Sequence, residues 1–172
     1  MRRWLIPLVL LIVSALVGWR VALVYTPDAL MRLAERRVAT LGGGVNHMSH
    51  GPLVTAAARA IVRPSPDLLY SSCPFSLSGG PVLVEVPAIA APYWSLSVFD
   101  GRTNVAFVRN NGEAPGGLRI AIIQPGQAAP AGYQPVAVPL AHGIALVRVL
   151  IDRTKPIDTI DAQRRRASCR PA

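Results

Sequence analysis

The chain has 172 residues, room for one domain and an appendage, with 51% hydrophobic residues and a mean hydropathy of +0.37. That apolarity is high for a wholly soluble protein. Its net charge of +9 comes from 17 arginines and one lysine; several flank the first apolar run or crowd the tail, leaving the middle only mildly basic, so no nucleic-acid partner is expected.

Residues 4–24, WLIPLVLLIVSALVGWRVALV, carry a single charge, Arg20. Their 21 positions match the roughly 20 that an α-helix needs to cross the hydrocarbon core. Arg2 and Arg3 precede the run, and basic residues at a short end are retained in the cytoplasm. Trp4, Trp19 and Tyr25 suit the two interfaces, and Arg20 can extend to the headgroups. A cleaved signal peptide is the competing reading, with Val13-Ser14-Ala15 as the cut site. Because hydrophobicity continues to Val24, the length predicts an uncleaved anchor. The expected topology is therefore a membrane crossed once, with the N-terminus cytoplasmic and the remaining domain exported.

The next stretch, TPDALMRLAERRVATLGGG, reads as an amphipathic helix. Thr26 is placed to cap it, Pro27 suits the first helical position, Asp28 the positive end of the dipole, and residues 42–44 supply a glycine stop. Leu30, Leu33, Ala34, Val38 and Leu41 recur at helical spacing and predict the face that packs on the domain. His47 and His50 follow. A His-x-x-His pair can hold a metal on one helical face, but glycine and proline border this one and no cysteine or carboxylate is near. Loop hydrogen bonding is the expected role, with no metal.

Beyond Asp67 the pattern is β. LLYSSCPFSL and VLVEV, joined through Ser78-Gly79-Gly80, predict a hairpin. YWSLSVFD alternates, with Trp94, Leu96 and Val98 on one face and Ser95 and Ser97 on the other. NVAFVRN, LRIAIIQP, PVAVP and GIALVRVLI complete seven strand candidates. Many short strands without alternating helices predict a mainly β, antiparallel sandwich or jelly roll, and PIDTIDAQRRRASC predicts a short closing helix. The division expected is an anchor at 1–25, an amphipathic helix at 26–44, and an exported β-sandwich with its C-terminal helix at 45–172. Cys73 and Cys169 form the only pair available. In an oxidising compartment they can bridge; otherwise Cys73 is a buried thiol and Cys169 an exposed one.

Groupings that carry chemistry are sparse. No Gly-x-Ser-x-Gly, phosphate loop, dinucleotide fingerprint or His-Glu-x-x-His occurs, so no cofactor is expected. His142 precedes the last predicted strand without an evident serine partner. The carboxylates of the central β region are Asp67, Glu85, Asp100 and Glu113, and both Asp67 and Asp100 occupy turn positions where Asp bonds local amides. Arg63 and Asp67 are placed to pair across their turn. Tyr70, Tyr93, Trp94, Phe99 and Phe107 offer aromatic surface that can bind sugars or lipids, although core filling is the commoner use.

Two blocks carry a resemblance. One is Arg63-Pro64-Ser65-Pro66-Asp67-Leu68-Leu69-Tyr70-Ser71, with Gly80-Pro81 beyond it. The other runs from Tyr93 and Trp94 to Asp100, followed by Thr103-Asn104. At these residues the chain resembles the bacterial family known as domain of unknown function 1254, over roughly residues 44–151. Leu68 stands where the family commonly has a small polar residue. The resemblance implies a β-rich module with jelly-roll character. It also implies a partner: larger relatives fuse the module to a second one, domain of unknown function 1214, so for a short anchored form the complementary half would sit on another anchored polypeptide. The residues singled out as a ligand or partner site are Arg63, Asp67, Tyr70, Ser71, Tyr93, Trp94, Asp100, Asn104 and His50. The function expected is a non-enzymatic docking module of the cell envelope, and the alternative is an envelope hydrolase acting on carbohydrate or lipid.

Overall fold

The computed structural model describes residues 2–55, 64–152, 154 and 156–172. Arg63, and with it the expected pairing to Asp67, lies outside the described residues.

One helix, α1 (Arg2–Gly42), occupies the first quarter of the chain and contains both Pro7 and Pro27. At 1.5 Å per residue it is roughly 60 Å long. The expected cap at Thr26 is therefore not a boundary. Pro27 cannot donate to the carbonyl four residues back, but the adjacent turns keep their bonds and the helix passes through. Residues 4–26 are exposed throughout, whereas the last four turns lie on the body. The docked face also differs from the leucine stripe expected. Met31 is buried, Ala34, Glu35 and Val38 are half-buried beside it, and Leu30, Leu33 and Leu41 remain exposed. The reason is polar. Glu35 accepts a 2.8 Å bond from His142 Nδ1, and that contact turns the helix so that its carboxylate, not its leucines, faces the sheet.

The body is a two-sheet sandwich. Sheet A runs β1 (Ser49–His50), β2 (Leu68–Ser76), β8 (His142–Leu150), β4 (Trp94–Asp100) and β5 (Val105–Asn110). Sheet B runs β7 (Gln134–Ala137), β6 (Gly117–Ile123), β3 (Val82–Pro87) and β9 (Ser168–Pro171). Every pairing is antiparallel except β6 with β7, which is parallel. The mainly β sandwich with helices at both ends is thus as its periodicity predicts.

The β2–β3 hairpin is not formed: β2 pairs with β8 over nine positions, while β3 pairs with β6 and β9 in the other sheet. Crossing between sheets lets Leu69, Cys73 and Phe75 face Val82, Val84 and Val86 across the core. Side by side, the same residues would line one sheet face and leave the second layer to other strands. The tail departs from expectation too. The closing helix α2 (Ile157–Arg164) stops at Arg164, and the residues after it add β9 to the free edge of β3.

Trp94, Leu96 and Val98 are fully buried in the inter-sheet core, together with Ile120, Ile122, Val147 and Val149. Burying one such side chain contributes roughly 1.5–3 kcal/mol over leaving it in water. A disulfide between Cys73 on β2 and Cys169 on β9 ties the two sheets, spanning 96 residues of sequence. On the same side α2 inserts Ile160 into the core, and Gln163 Oε1 accepts the Ala90 amide at 2.7 Å.

Candidate functional site

Arg164 is the most deeply placed charge among the described residues, with no solvent exposure. It stands one helical turn after Ile160, so the face that enters the core carries a guanidinium with it. All of its donors are used. Nε donates to Asp161 Oδ1 at 2.9 Å, Nη1 to Ser71 Oγ at 2.9 Å and to the Tyr70 carbonyl, and Nη2 to the Gly51 carbonyl at 3.0 Å and to Asp161 Oδ1. Burial alone would raise the Asp161 carboxyl, but hydrogen bonds from Arg165 and Arg164 hold it below its ordinary value. A buried guanidinium persists only when it is paired and its donors are satisfied, as here. The group stitches α2 to β2 and to the residue after β1.

His50 joins this centre. Its Nδ1 lies 2.9 Å from Ser71 Oγ. Arg164 can only donate, so Ser71 Oγ accepts from it and keeps its own proton free to point at His50 Nδ1, an arrangement that suits a neutral imidazole with its proton on Nε2. Burial lowers the His50 pKa, and the Arg164 and Arg165 charges lower it further. A serine beside a histidine invites comparison with a nucleophile and its base. Ser71, however, has no exposed surface, and its oxygen is engaged by Arg164.

The other residues singled out by the sequence are dispersed. Asp67 sits in the turn before β2, where its amide donates to Ser65 Oγ at 3.3 Å and its carbonyl accepts the Ile151 amide. Tyr70 Oη accepts the Ser65 amide at 3.0 Å, closing that turn. Trp94 is in the core, while Tyr93 is 39% exposed at the same end as Asp67. Asp100 and Asn104 shape the β4–β5 turn: Asp100 Oδ1 accepts the amides of Arg102 (2.8 Å) and Asn104 (2.9 Å), and Oδ2 accepts Asn104 Nδ2 (3.0 Å). Burial acts to raise this carboxyl, yet the bonds from Asn104 and the Arg102 amide bring it below its ordinary value. Gly101 leaves room there for the His142 ring, which a Cβ would approach to 2.4 Å and displace from Glu35.

Asp67 and Asp100 close opposite ends of sheet A. Leu68 pairs with Leu150 and Asp100 with Gly143, seven residues apart on β8, or roughly 23 Å at 3.3 Å per residue. His50, Tyr70 and Ser71 meet around Arg164; Asp100 and Asn104 do not join them. His47 lies in the loop before β1, its Nδ1 3.4 Å from the Val45 carbonyl, so the two histidines share no helical face. Among the described residues no group of three or more His, Cys, Asp or Glu side chains is arranged to hold a metal ion.

Three groups escape sequence reasoning. The first is the link from helix to body, where His142 contacts Glu35 and places Nε2 3.5 Å from Asp28. Burial pushes the Glu35 carboxyl up, partly opposed by its bond to His142. The second is Arg164, which in sequence is indistinguishable from Arg165 and Arg166. The third covers the outer face of sheet B: Glu85 Oε1 accepts from Tyr133 Oη and from Arg170 (3.2 Å), and Arg119 stacks on the Tyr133 ring at 4.5 Å. The Tyr133 bond, reinforced by Arg119 and Arg170, holds the Glu85 carboxyl down.

The fold is a two-sheet sandwich closed by a short helix and preceded by a long apolar one. The family model "Protein of unknown function (DUF1254)" matches residues 45–171, and the chain belongs to that family. Two crystal structures share the fold. The VPA0106 protein from Vibrio parahaemolyticus aligns with a TM-score of 0.65 at 14% identity over 85% of this chain and 35% of its own. An uncharacterized protein from Burkholderia cenocepacia aligns with a TM-score of 0.51 at 15% identity over 79% of this chain and 37% of its own. The chain thus spans little more than a third of either. A comparison with curated proteins returned no match.

Proposed function

We propose that this is an inner-membrane-anchored, periplasmic docking module without catalysis of its own, its sandwich held to the bilayer by residues 4–24. The observation that carries the reading is the continuity of α1: a fully exposed apolar segment, long enough to cross a membrane, runs without a break into turns docked on the body through Met31 and the Glu35–His142 bond. Such a junction transmits position, so the anchor and the sandwich act as one piece. The disulfide supports an oxidising compartment. Partner docking is supported by size, since each structural relative has nearly two thirds of its chain beyond the shared fold. The partner we favour is an anchored polypeptide carrying a complementary 1214-type domain.

Alkaline carbonate extraction and mild crosslinking test this reading. Retention of the full chain in the membrane pellet, with a discrete crosslinked companion, is expected. Release into the supernatant would overturn the anchor, and recovery of the chain alone would overturn docking. The hydrolase alternative calls for Asp67, Tyr70, Asp100 and His50 in one cleft, and the seven-residue separation along β8 weighs against it.

A further inference from the structure

The docked turns of α1 define which end of the sandwich meets the bilayer. Gly42 lies against Ser49, which pairs with Ser72 at the middle of β2, Glu35 and Asp28 reach His142 at the start of β8, and Ala22, Leu23, Thr26, Pro27 and Leu30 line a shallow cleft of about 340 Å³ with Thr103. The helix therefore leaves the body past the β4–β5 turn. Ala22 and Leu23 belong to the last turn of the apolar run, so Thr103 stands level with the end of the hydrophobic segment.

Few groups set the charge of the loops at this end. The loops at the helix-exit end, residues 77–81, 101–104, 124–127 and 138–141, contain no carboxylate, and their one ionised side chain is Arg102, which is exposed. The carboxylates beside these loops are each engaged: Asp28 by Arg32 at 2.8 Å, Glu35 by His142 at 2.8 Å, and Asp100 by the amides of its own turn. An anionic lipid surface attracts nearby arginines and repels carboxylates.

We propose that the helix-exit end of the sandwich rests on the headgroup layer, with the Arg102-Thr103 turn seated in it and Arg102 engaging the phosphate of an anionic phospholipid beside α1. This rests on the anchor reading and goes beyond it, because a bare tether would leave the body free of the surface. The turn suits the role: Asp100 is withdrawn into local bonds, so the carboxylate nearest Arg102 in sequence is screened from the lipid. Arg20, on the same helix two residues before Ala22, supplies a second cation at that depth.

The test uses the full chain with its disulfide intact, reconstituted into phosphatidylglycerol–phosphatidylcholine vesicles, with single environment-sensitive NBD labels on Leu16→Cys, Thr103→Cys and Glu113→Cys. The expected result is blue-shifted emission, quenched by lipid-attached nitroxide, at positions 16 and 103 but not at 113. The shift at 103 should be lost in phosphatidylcholine alone and on adding Arg102→Glu, with position 16 unchanged in both. A lipid-buried label at 16 with an aqueous one at 103 overturns this inference and leaves the anchor standing. An aqueous label at 16 overturns the anchor itself. Equal shifts at 103 and 113 overturn the proposed orientation, and a shift at 103 that survives Arg102→Glu overturns the phosphate contact.

Discussion

Arg164 and Arg170 are six residues apart in one basic tail, yet they do different physical work. Arg164 is fully buried, ends α2, and satisfies its donors on Asp161, Ser71 and two backbone carbonyls. Arg170 lies on β9 with its side chain 54% exposed and reaches Glu85 at 3.2 Å across the outer face of sheet B. The formal charges are identical. What differs is the medium: in water an ion pair is screened and its ordering entropy offsets much of the attraction, whereas in the interior each lost partner leaves a desolvated charge. The same composition thus yields one lock and one surface decoration.

The comparison breaks most visibly at the lock. Arg164→Ala should lower unfolding free energy by about 2–5 kcal/mol, because Ser71 Oγ and the Gly51 carbonyl each lose a buried donor at about 1–3 kcal/mol apiece, while Asp161 keeps Arg165. Urea denaturation of the body in detergent measures it; a change under 1 kcal/mol would mean that Arg164 is not buried in solution. The disulfide sits on the same side of the sandwich, and its closed loop of 96 residues is worth up to about 4–5 kcal/mol in the chain-entropy model, with 2–5 kcal/mol typical of native bridges. Reduction, or the Cys73→Ser, Cys169→Ser pair, should lower the melting temperature. A melting curve indifferent to reductant would count against the bridge.

His50 sharpens the contrast through pH. Its folded pKa is lowered from 6.5 by burial and by the Arg164 and Arg165 charges, so the unfolded chain takes up the proton first. The stability this group confers is complete above about pH 6.5 and is lost as pH falls toward its lowered folded value. His50→Asn keeps an acceptor near the Nδ1 position but cannot titrate. The difference in stability between wild type and His50→Asn should shrink or invert from pH 7.5 to pH 5.5. Taking that difference cancels the contributions of Asp161, held low, and Glu35, held high. Parallel pH profiles would exclude His50 from the buried network.

Much of the sandwich was legible because period-2 alternation is a local signal: seven strand candidates correspond to β2 through β8, and the core residues Trp94, Leu96 and Val98 fall on the face their spacing predicts. Partner choice was not local. Nothing in Ser78-Gly79-Gly80 distinguishes a hairpin from a crossover between sheets, and SCRP becomes β9 only because β3 leaves an edge for it. The helix boundary at Thr26 failed because a cap, a proline and an acid in order describe a start as well as they describe an interior proline. At the site, the turn roles of Asp67 and Asp100 were readable from their neighbours. The burial of Arg164 had one faint sign, its place four residues after Ile160 on the face of a short helix, and Glu35's contact with His142 had none, because 107 residues separate them.

The smallest expected effect completes the contrast. Arg170→Ala removes a partner from Glu85, but Glu85 keeps the bond from Tyr133 Oη and has Arg119 at 3.8 Å. Water reaches the vacated side of the carboxylate, so no charge is stranded, and exposed pairs of this kind contribute about 0–1 kcal/mol. The expected change in unfolding free energy is therefore within that range and should fall further in 0.5 M salt, whereas the loss from Arg164→Ala should be nearly independent of salt because ions do not penetrate the core. Measuring both variants at two salt concentrations separates the explanations. If Arg170→Ala proves as costly as Arg164→Ala, or if the Arg164→Ala loss shrinks with salt as a surface pair does, then burial is not what divides the two arginines.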